Sequence, residues 1–187
     1  MTLFTFRNPF AGAKMRVCQA LILPVYQGQG WGKRILLHLY QRTKERVDTS
    51  EVTVEDPAPG FQCMRDAVDI EWALQHKDII YKTNSNELID VSDIATKLKI
   101  TEMQAQFVVN ALQFNHIYPN TVNDDDTIHQ FETESSSYRS FRLSVKRSFL
   151  KYDKELKSLP KEEMQKELEN LYASHVERFK RVRRIIT

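Results

Sequence analysis

A hexapeptide with three glycines at alternate positions, QGQGWG at 27–32, joins two segments of different character. The preceding segment, Arg16 to Val25, contains a short apolar run, Ala20 to Leu23, bounded by Pro24 and the glycines, which predicts a buried strand. Alternation in EVTVE at 51–55 predicts a second strand. Between them, Lys33 to Thr43 is predicted to be a helix, because its apolar residues recur at helical spacing: Ile35, Leu36, Leu39 and Tyr40. This order of elements predicts that the two strands pair in parallel.

The glycine loop has the chemistry of an anion site. Glycine tolerates positive φ and lets a ligand approach the backbone, and successive N–H groups at a helix start carry partial positive charge. A diphosphate is the expected ligand. The spacing excludes a Walker loop, because Gly32 and Lys33 are followed by Arg34 instead of Ser or Thr, and it excludes the dinucleotide fingerprint. A glycine turn without a ligand remains the alternative.

Two carboxylates, Glu55 and Asp56, follow the second predicted strand. In a parallel pair, the glycine loop and Glu55 lie at the carboxyl ends of their strands and therefore at one edge of the sheet. An anionic ligand and an acid/base group would meet there. The alternative is a solvated acidic pair at a strand end.

The rest of the chain is predicted to be helical, with one helix from Phe61 to Leu74 and a linker at 84–87. Residues 90–117 predict two short helices. The first is capped by Asp90 or Ser92, and the second begins with Thr101 followed by Gln104, the spacing of a capping box.

Residues 120–137 are polar and acidic and are predicted to form a mobile loop. From Tyr138 the chain is predicted to be helical to its end, with a break near Pro160, which suits the first turn of a last helix. That helix has one apolar stripe, which favours packing on a neighbouring helix: Leu168, Leu171, Val176, Phe179, Val182 and Ile186.

Composition narrows the class of protein. The 187 residues are 41% hydrophobic and 28% charged, as in a globular protein with a core. No apolar run is long enough to span a membrane, and MTLFTFRNPF lacks the pattern of a signal peptide, so an intracellular protein is expected. Cys18 and Cys63 are expected to be reduced thiols, and the five histidines have no metal-ligand spacing, so no metal is expected.

The net charge of +2 conceals a segregation along the chain. Residues 1–83, 84–137 and 138–187 carry +2, −7 and +7. The acidic middle and the basic tail are either solvated surfaces that attract one another or separate sites for separate partners.

The glycine loop matches the acetyl-coenzyme A motif of the GNAT acetyltransferases, in which Arg or Gln is followed by two residues, Gly, one residue, and Gly or Ala. The chain resembles the type B histone acetyltransferases of this superfamily in three places: LILPVYQGQGWG; VTVEDP with Phe61 and Met64-Arg65-Asp66; and SSYRSFRLSVKR at 136–147. The resemblance implies an α+β fold. Residues 1–83 would be the carboxy-terminal half of a GNAT core, and residues 84–187 a helical carboxy-terminal domain with an acidic loop near 120–137.

The resemblance also implies the roles of the site residues. Glu55 would be the general base and Asp56 its acidic neighbour, and Phe61 would lie near the cofactor. The backbone of Ala20, Leu21 and Ile22 would pair with the pantetheine arm of acetyl-CoA. Backbone N–H groups would hold its pyrophosphate across the loop: Gln27, Gly28, Gln29, Gly30, Trp31, Gly32 and Lys33. A base is needed because a lysine with a pKa near 10.4 is neutral only about once in 2,500 molecules at pH 7.

By the same resemblance, the acceptor would be a lysine in the tail of free histone H-four, the partner a WD-repeat histone chaperone, and the location the nucleus and cytoplasm. Members of the family have several strands and helices before the cofactor motif, where this chain has about fifteen residues. We therefore expect a fragment, a truncated gene model, or a chain that needs a complement.

Two other readings remain. Residues 90–117 resemble a helix-turn-helix, and the basic tail contains Lys180, Arg181, Arg183 and Arg184, as in a nucleic-acid-binding module. Poor interleaving of aromatic residues argues against direct DNA binding. A catalytically dead scaffold would keep the cofactor fold without turnover.

Overall fold

The computed structural model describes residues 1–8, 10, 12–81, 90–118 and 136–186. It has two compact units, Met1–Val108 and Val109–Thr187. The first contains a small sheet and helices, and the second is helical. The α+β class predicted from the sequence is confirmed. The domain boundary predicted after residue 83 and the linker at 84–87 fall outside the described residues.

The sheet of the first unit has three strands in the order β1-β2-β3: Thr2–Asn8, Gly12–Gln19 and Thr49–Val54. β1 and β2 are antiparallel, with Thr5 opposite Met15. β2 and β3 are parallel, with Met15 opposite Val52, which confirms the parallel pairing predicted across the glycine loop. β1 was not predicted, although the alternation of Phe4 and Phe6 with Thr5 is typical of a strand.

Five α-helices of the described residues begin in the first unit, and all but the short third one follow the predicted pattern. α1 is Trp31–Glu45, α2 Pro59–Gln75, α3 Lys77–Ile80, α4 Val91–Leu98 and α5 Glu102–Ile117. The Asp90 carboxylate accepts the N–H of Ser92 at 3.0 Å and caps α4. At α5, Thr101 N–H donates to Gln104 Oε1 at 3.0 Å and Gln104 N–H donates to Thr101 Oγ1 at 3.3 Å. Both predicted caps are therefore confirmed, α4 through Asp90.

The core of the first unit lies between one face of the sheet and the helices. Alternate residues of β2 are buried on this face, while Lys14 between them is exposed. The largest contributions come from β2, β3 and the four longer helices: Met15, Val17, Val52, Leu36, Tyr40, Ile70, Trp72, Ile94, Leu98 and Phe107.

A buried polar cluster links three helices of this core. The Tyr40 hydroxyl donates to Asp69 Oδ1 at 2.7 Å, and Gln104 Nε2 donates to Asp69 Oδ2 at 2.9 Å. Burial raises the pKa of Asp69 to about 6, although Arg65 and the two hydrogen bonds oppose this shift. Paired donors and acceptors fix the relative placement of α1, α2 and α5, since each unpaired polar group would cost free energy.

This cluster predicts a pH dependence of stability. Between pH 4 and 6 the folded state holds a proton on Asp69 that the unfolded chain releases, so the stability contributed by this group falls as pH rises through this window. A pKa raised from 3.8 to about 6 corresponds to about 3 kcal/mol, lost by about pH 7. Asparagine does not titrate, so Asp69→Asn lacks this pH-dependent contribution to stability. The stability advantage of the wild type over the variant should therefore shrink by about that amount between pH 4 and 7.

Urea unfolding followed by tryptophan fluorescence measures this difference, since Trp31 and Trp72 both lie in the first unit. Asp78→Asn is the matched control, because Asp78 is exposed on α3. Its pH curve should parallel that of the wild type. If the stability of Asp69→Asn changed with pH in the same way as that of the wild type, the assignment of a bound proton to Asp69 would be wrong.

The second unit contains three further helices, α6 Ser136–Tyr152, α7 Lys154–Ser158 and α8 Lys161–Ile186. The break near Pro160 is confirmed, and Asp153 caps an additional short helix that was not predicted. The mobile loop predicted over 120–137 is wrong at its end, because Ser136 and Ser137 begin α6; residues 120–135 lie outside the described residues.

Aromatic rings fill the centre of the second unit. Phe179 is 1% exposed, and its ring centroid lies 5.5 Å from Phe114 and 6.2 Å from Phe141. Four members of the predicted stripe are buried, whereas Leu171 and Ile186 are half-buried. Tyr172 is also buried on this face of the helix, although it was not predicted. Its hydroxyl donates a hydrogen bond to the Tyr138 hydroxyl at 2.8 Å.

Phe179→Ala should lower the free energy of unfolding of the second unit by about 3–5 kcal/mol, because it leaves a cavity between rings. Far-UV circular dichroism during urea unfolding detects the effect, since this unit is helical. Ser174→Ala, at an exposed position of the same helix, should change stability by less than about 0.5 kcal/mol. If Phe179→Ala and Ser174→Ala lowered the free energy of unfolding by the same small amount, the described packing of the Phe179 ring would be wrong.

The residues that suggested a helix-turn-helix belong to the core. Ile94, Leu98, Ile100 and Val108 are each at most 1% exposed. α5 also buries Gln104, Ala105 and Phe107, so these side chains pack within the protein. Within the described ranges, no helix is long and apolar enough to cross a membrane.

Candidate functional site

The glycine loop is tied to the segment before it by its own glutamines. Gln27 Nε2 donates to the Ile22 carbonyl at 2.8 Å, and Gln29 Nε2 donates to the Val25 carbonyl at 2.9 Å. A short 3-10 turn, Pro24–Tyr26, lies between these contacts. Side-chain amides therefore satisfy carbonyls of this exposed turn and hold the loop in a defined shape without a ligand.

Two glycines of the loop have conformations that favour glycine. Gly28 has φ +73° and Gly30 has φ +78°. A Cβ at either position would meet no described atom within 4 Å, so the loop has open space above its backbone. This is a cradle that a ligand can enter closely.

Gly32 lies in close contact with α2. A Cβ at this position would lie 2.7 Å from the sulfur of Met64, so any larger residue here would require the Met64 side chain to move. Phe61 lies one helical turn before Met64 on α2 and is half-buried. The predicted cofactor-adjacent residue thus lies on the turn of α2 that packs against the loop.

The start of α1 presents its unsatisfied N–H groups beside this open space. Gly30 is the N-cap residue, and no side chain caps the helix. Lys33 Nζ pairs with Glu71 Oε2 at 2.5 Å, and the Arg34 guanidinium lies 5.1 Å from the centre of the exposed Trp31 ring. The helix dipole and the Arg34 guanidinium make this end of the helix attractive to an anion, whereas Glu71 offsets the charge of Lys33.

The strands β2 and β3 separate at the same edge of the sheet. Glu55 N–H donates to the Val17 carbonyl at 3.0 Å, and the ladder between these strands ends there within the described chain. β2 continues to Gln19 beside β1. Beyond this hydrogen bond the described strands are no longer paired, and we call the region between the backbone after Val17 and the backbone after Glu55 the wedge.

The strand predicted within Arg16 to Val25 is confirmed over residues 16–19, but its apolar run, Ala20 to Leu23, lies outside the sheet. β2 begins earlier and ends at Gln19, and Leu21 is 75% exposed. The apolar run leaves the sheet because the partner strand has ended, so its hydrophobicity does not reflect burial within this chain. Instead it extends an exposed apolar surface along the wedge with Leu23, Val25, Tyr26 and Trp31. Such a surface beside an anion cradle is typical of a ligand site.

Glu55 and Asp56 lie at the opening of this wedge. The Glu55 side chain is 52% exposed, and its Oε1 is 3.9 Å from Arg16 Nη1 on β2. Asp56 has φ +35°, in the left-handed region, which turns the chain sharply away from β3. The carboxylate of Glu55 is therefore accessible to a substrate, and one cation orients it.

Sequence reasoning missed the structural parts played by Arg16, Met64, Gln27 and Gln29. Their roles depend on contacts between segments, except for the glutamines, whose positions beside the glycines offered a local signal. In the described residues no group of three or more His, Cys, Asp or Glu could hold a metal ion. Cys18 and Cys63 are half-buried, and neither forms a disulfide in the described residues.

Comparison with protein-family models gives no match. Among curated proteins, the chain is similar to histone acetyltransferase type B catalytic subunits. It is 27% identical over 157 residues to one from Dictyostelium discoideum, which is 80% of this chain and 30% of that protein. It is 28% identical over 180 residues to one from Cryptococcus neoformans var. neoformans serotype D, 90% of this chain and 40% of that protein. It is 25% identical over 171 residues to one from Pyricularia oryzae, which is 80% of this chain and 36% of that protein.

These matches confirm the resemblance predicted from the sequence. The chain spans 30% to 40% of the length of these three relatives. The glycine loop, the wedge and Glu55 are the features of the first unit on which a function can be argued.

Proposed function

We propose that this chain contains the acetyl-CoA-binding and catalytic portion of a type B histone acetyltransferase with a GNAT core. The observation that supports this best is the separation of the parallel strands β2 and β3 after the Val17–Glu55 hydrogen bond. It places a glycine anion loop after one strand and an accessible carboxylate after the other. One edge of the sheet thus offers both an anchor for a cofactor and a base.

Acetyl-CoA has chemical parts that suit this edge. Its pyrophosphate would accept hydrogen bonds from backbone N–H groups of Gly28 to Lys33, where the open space above Gly28 and Gly30 allows close approach. Its pantetheine arm, with two amides, would pair with the backbone of Ala20 to Ile22, which lies beyond the strand ladder. The exposed Leu21 side chain would cover its methylene groups.

In the reaction, Glu55 would accept a proton from the substrate lysine, directly or through water. The neutral amine would then attack the thioester carbonyl, the C–S bond would break, and the departing coenzyme A sulfur would take the second amine proton and leave as the thiol. Backbone N–H groups near the thioester would stabilise the oxygen that gains charge. Arg16, whose Nη1 lies 3.9 Å from Glu55 Oε1, would help to direct the carboxylate towards the wedge.

The proposed acceptor is a lysine in the tail of free histone H-four, and the proposed partner is a WD-repeat histone chaperone. Both come from the resemblance, as does a location in the nucleus and cytoplasm. The net charge of −7 over residues 84–137 would attract a basic histone tail.

Calorimetric titration of the chain with acetyl-CoA, followed by a transfer assay on an H-four tail peptide, tests this proposal. Binding with a stoichiometry of one and transfer to the peptide would support it. Binding without transfer would indicate the catalytically dead scaffold. A folded chain that neither binds acetyl-CoA nor acetylates the peptide would contradict the proposed function.

A further inference from the structure

Trp31 and Arg34 form a ring–cation pair at the start of α1. Trp31 is the first residue of the helix, and Arg34 follows about one turn later. The guanidinium carbon of Arg34 lies 5.1 Å from the centre of the Trp31 ring. Since a cation over an indole is attracted by the negative face of the ring, each of these side chains restrains the other.

A glutamine of the glycine loop also holds the Trp31 indole. Trp31 Nε1 donates to Gln29 Oε1 at 3.4 Å, and Gln29 Nε2 donates to the Val25 carbonyl at 2.9 Å. The amide of Gln29 therefore connects the ring with the turn that precedes the loop. Because the indole is restrained in this way before any ligand arrives, stacking a ligand on it would cost less conformational entropy.

The charge of Arg34 is available to an anion. The first turn of α1 contains no acidic residue. Lys33 is paired with Glu71, whereas no carboxylate within the described ranges forms an ion pair with Arg34. A guanidinium can bind a phosphate through two parallel hydrogen bonds, which an uncharged hydroxyl group does not offer. Arg34 is thus suited to recognise a phosphate beside the loop.

We propose that Trp31 and Arg34 bind the adenosine 3′-phosphate end of acetyl-CoA, with the adenine on the indole and the 3′-phosphate on the guanidinium. This inference rests on the proposed function, because it assigns the part of the coenzyme that the loop and the wedge leave unassigned. The pantetheine arm is proposed to lie beside Ala20 to Ile22 and the pyrophosphate over the loop. The covalent order of the coenzyme then places the nucleoside beyond the pyrophosphate, where α1 begins.

The two residues are expected to recognise different features of the coenzyme. Aromatic side chains stack on any base, so Trp31 would contribute to the binding of every ligand that carries adenosine. Arg34 would contribute only where the 3′-phosphate is present. The ligand 3′-dephospho-acetyl-CoA differs from acetyl-CoA by this phosphate alone. Arg34 is therefore the residue that would determine specificity between these two ligands.

Calorimetric titration with acetyl-CoA and with 3′-dephospho-acetyl-CoA tests the role of Arg34. The wild type should bind acetyl-CoA about tenfold more tightly, because charge-assisted hydrogen bonds to the 3′-phosphate are absent from the other complex. In Arg34→Gln this preference should fall to about twofold or less, while the affinity for 3′-dephospho-acetyl-CoA stays unchanged. Arg34 is exposed, so the fold should tolerate glutamine, and circular dichroism checks this.

Arg42→Gln is the matched control. It removes the same charge from an exposed position of α1, about 12 Å further along the helix axis. Its preference for acetyl-CoA should equal that of the wild type. If Arg34→Gln weakened the binding of both ligands equally, the guanidinium would bind the pyrophosphate instead and the inference would be wrong.

The same titrations separate this inference from the proposed function. A wild type that binds both ligands with equal affinity, or a preference that persists in Arg34→Gln, would overturn the inference and leave the proposed acetyl-CoA site intact. A folded wild type that binds neither ligand would overturn both.

Trp31 is tested through affinity and fluorescence. In Trp31→Ala the affinities for both ligands should fall about tenfold, since each loses the same stacking contact. Acetyl-CoA should quench the tryptophan fluorescence of the wild type but not that of Trp31→Phe, because the other tryptophan, Trp72, is 2% exposed. Unchanged affinities in Trp31→Ala, or quenching that persists in Trp31→Phe, would contradict stacking of the adenine on the indole.

Discussion

Acetyl-CoA affinity is expected to fall by about 100-fold or more in Gly30→Asp. The new carboxylate would stand in the open space above the loop, where the pyrophosphate is proposed to bind, and like charges in such a site cost several kcal/mol. The helix itself should survive, because position 30 precedes the first helical residue and aspartate is one of the few residues other than glycine that adopt a left-handed conformation such as φ +78°. Calorimetric titration measures the affinity, and circular dichroism checks the fold.

The variant Gly30→Asn separates the effect of the added charge from the effect of replacing a glycine that has a left-handed conformation. Asparagine has nearly the size of aspartate and tolerates the left-handed region better than most residues, but it is neutral. Its affinity for acetyl-CoA should stay within about tenfold of the wild type, since only modest strain is added. If both variants bound acetyl-CoA like the wild type, the pyrophosphate would not lie over this loop.

The elements around the glycine loop were predictable because their signals are local. Helical spacing in Ile35, Leu36 and Leu39 and alternation in Val52 and Val54 each fall within a few residues, and connection rules then dictate parallel pairing. That pairing also predicts that Glu55 lies at the same edge of the sheet as the glycine loop. A large part of the candidate site was therefore accessible from residue order alone.

The rest depended on contacts between distant segments. The apolar run Ala20 to Leu23 has the composition of a buried strand, and only the end of β3 at Val54 shows why it is exposed. Asp69 and Gln104 are 35 residues apart, so no local pattern indicates their hydrogen bond. Whether a residue is exposed, and which buried polar groups form hydrogen bonds, depend on the folded chain and cannot be read from a few neighbouring residues.

Glu55→Gln should lower the rate of acetyl transfer to an H-four tail peptide by about 10²–10⁴-fold, because glutamine cannot accept the lysine proton. Acetyl-CoA affinity should not change, since the loop and the Ala20 to Ile22 backbone are untouched. Single-turnover transfer assays, with affinity measured separately, distinguish loss of the base from loss of the cofactor.

Glu51→Gln is the matched control on the same strand. Glu51 is half-buried and pairs with Lys14 Nζ at 2.5 Å on β2, before the wedge opens. Its replacement should leave transfer within about threefold of the wild type, because surface ion pairs contribute little.

The pH profile gives a further readout of the base. In the wild type, Glu55 removes the proton, whereas in Glu55→Gln the reaction depends on the fraction of lysine that is already neutral. That fraction rises about tenfold per pH unit below the lysine pKa near 10.4, so the deficit of the variant should narrow as pH rises from 7 to about 9. If Glu55→Gln and Glu51→Gln transferred acetyl at equal rates with the same pH profile, Glu55 would not be the base. Since Glu55 is exposed at the mouth of the wedge, the proton it takes has a direct path to solvent.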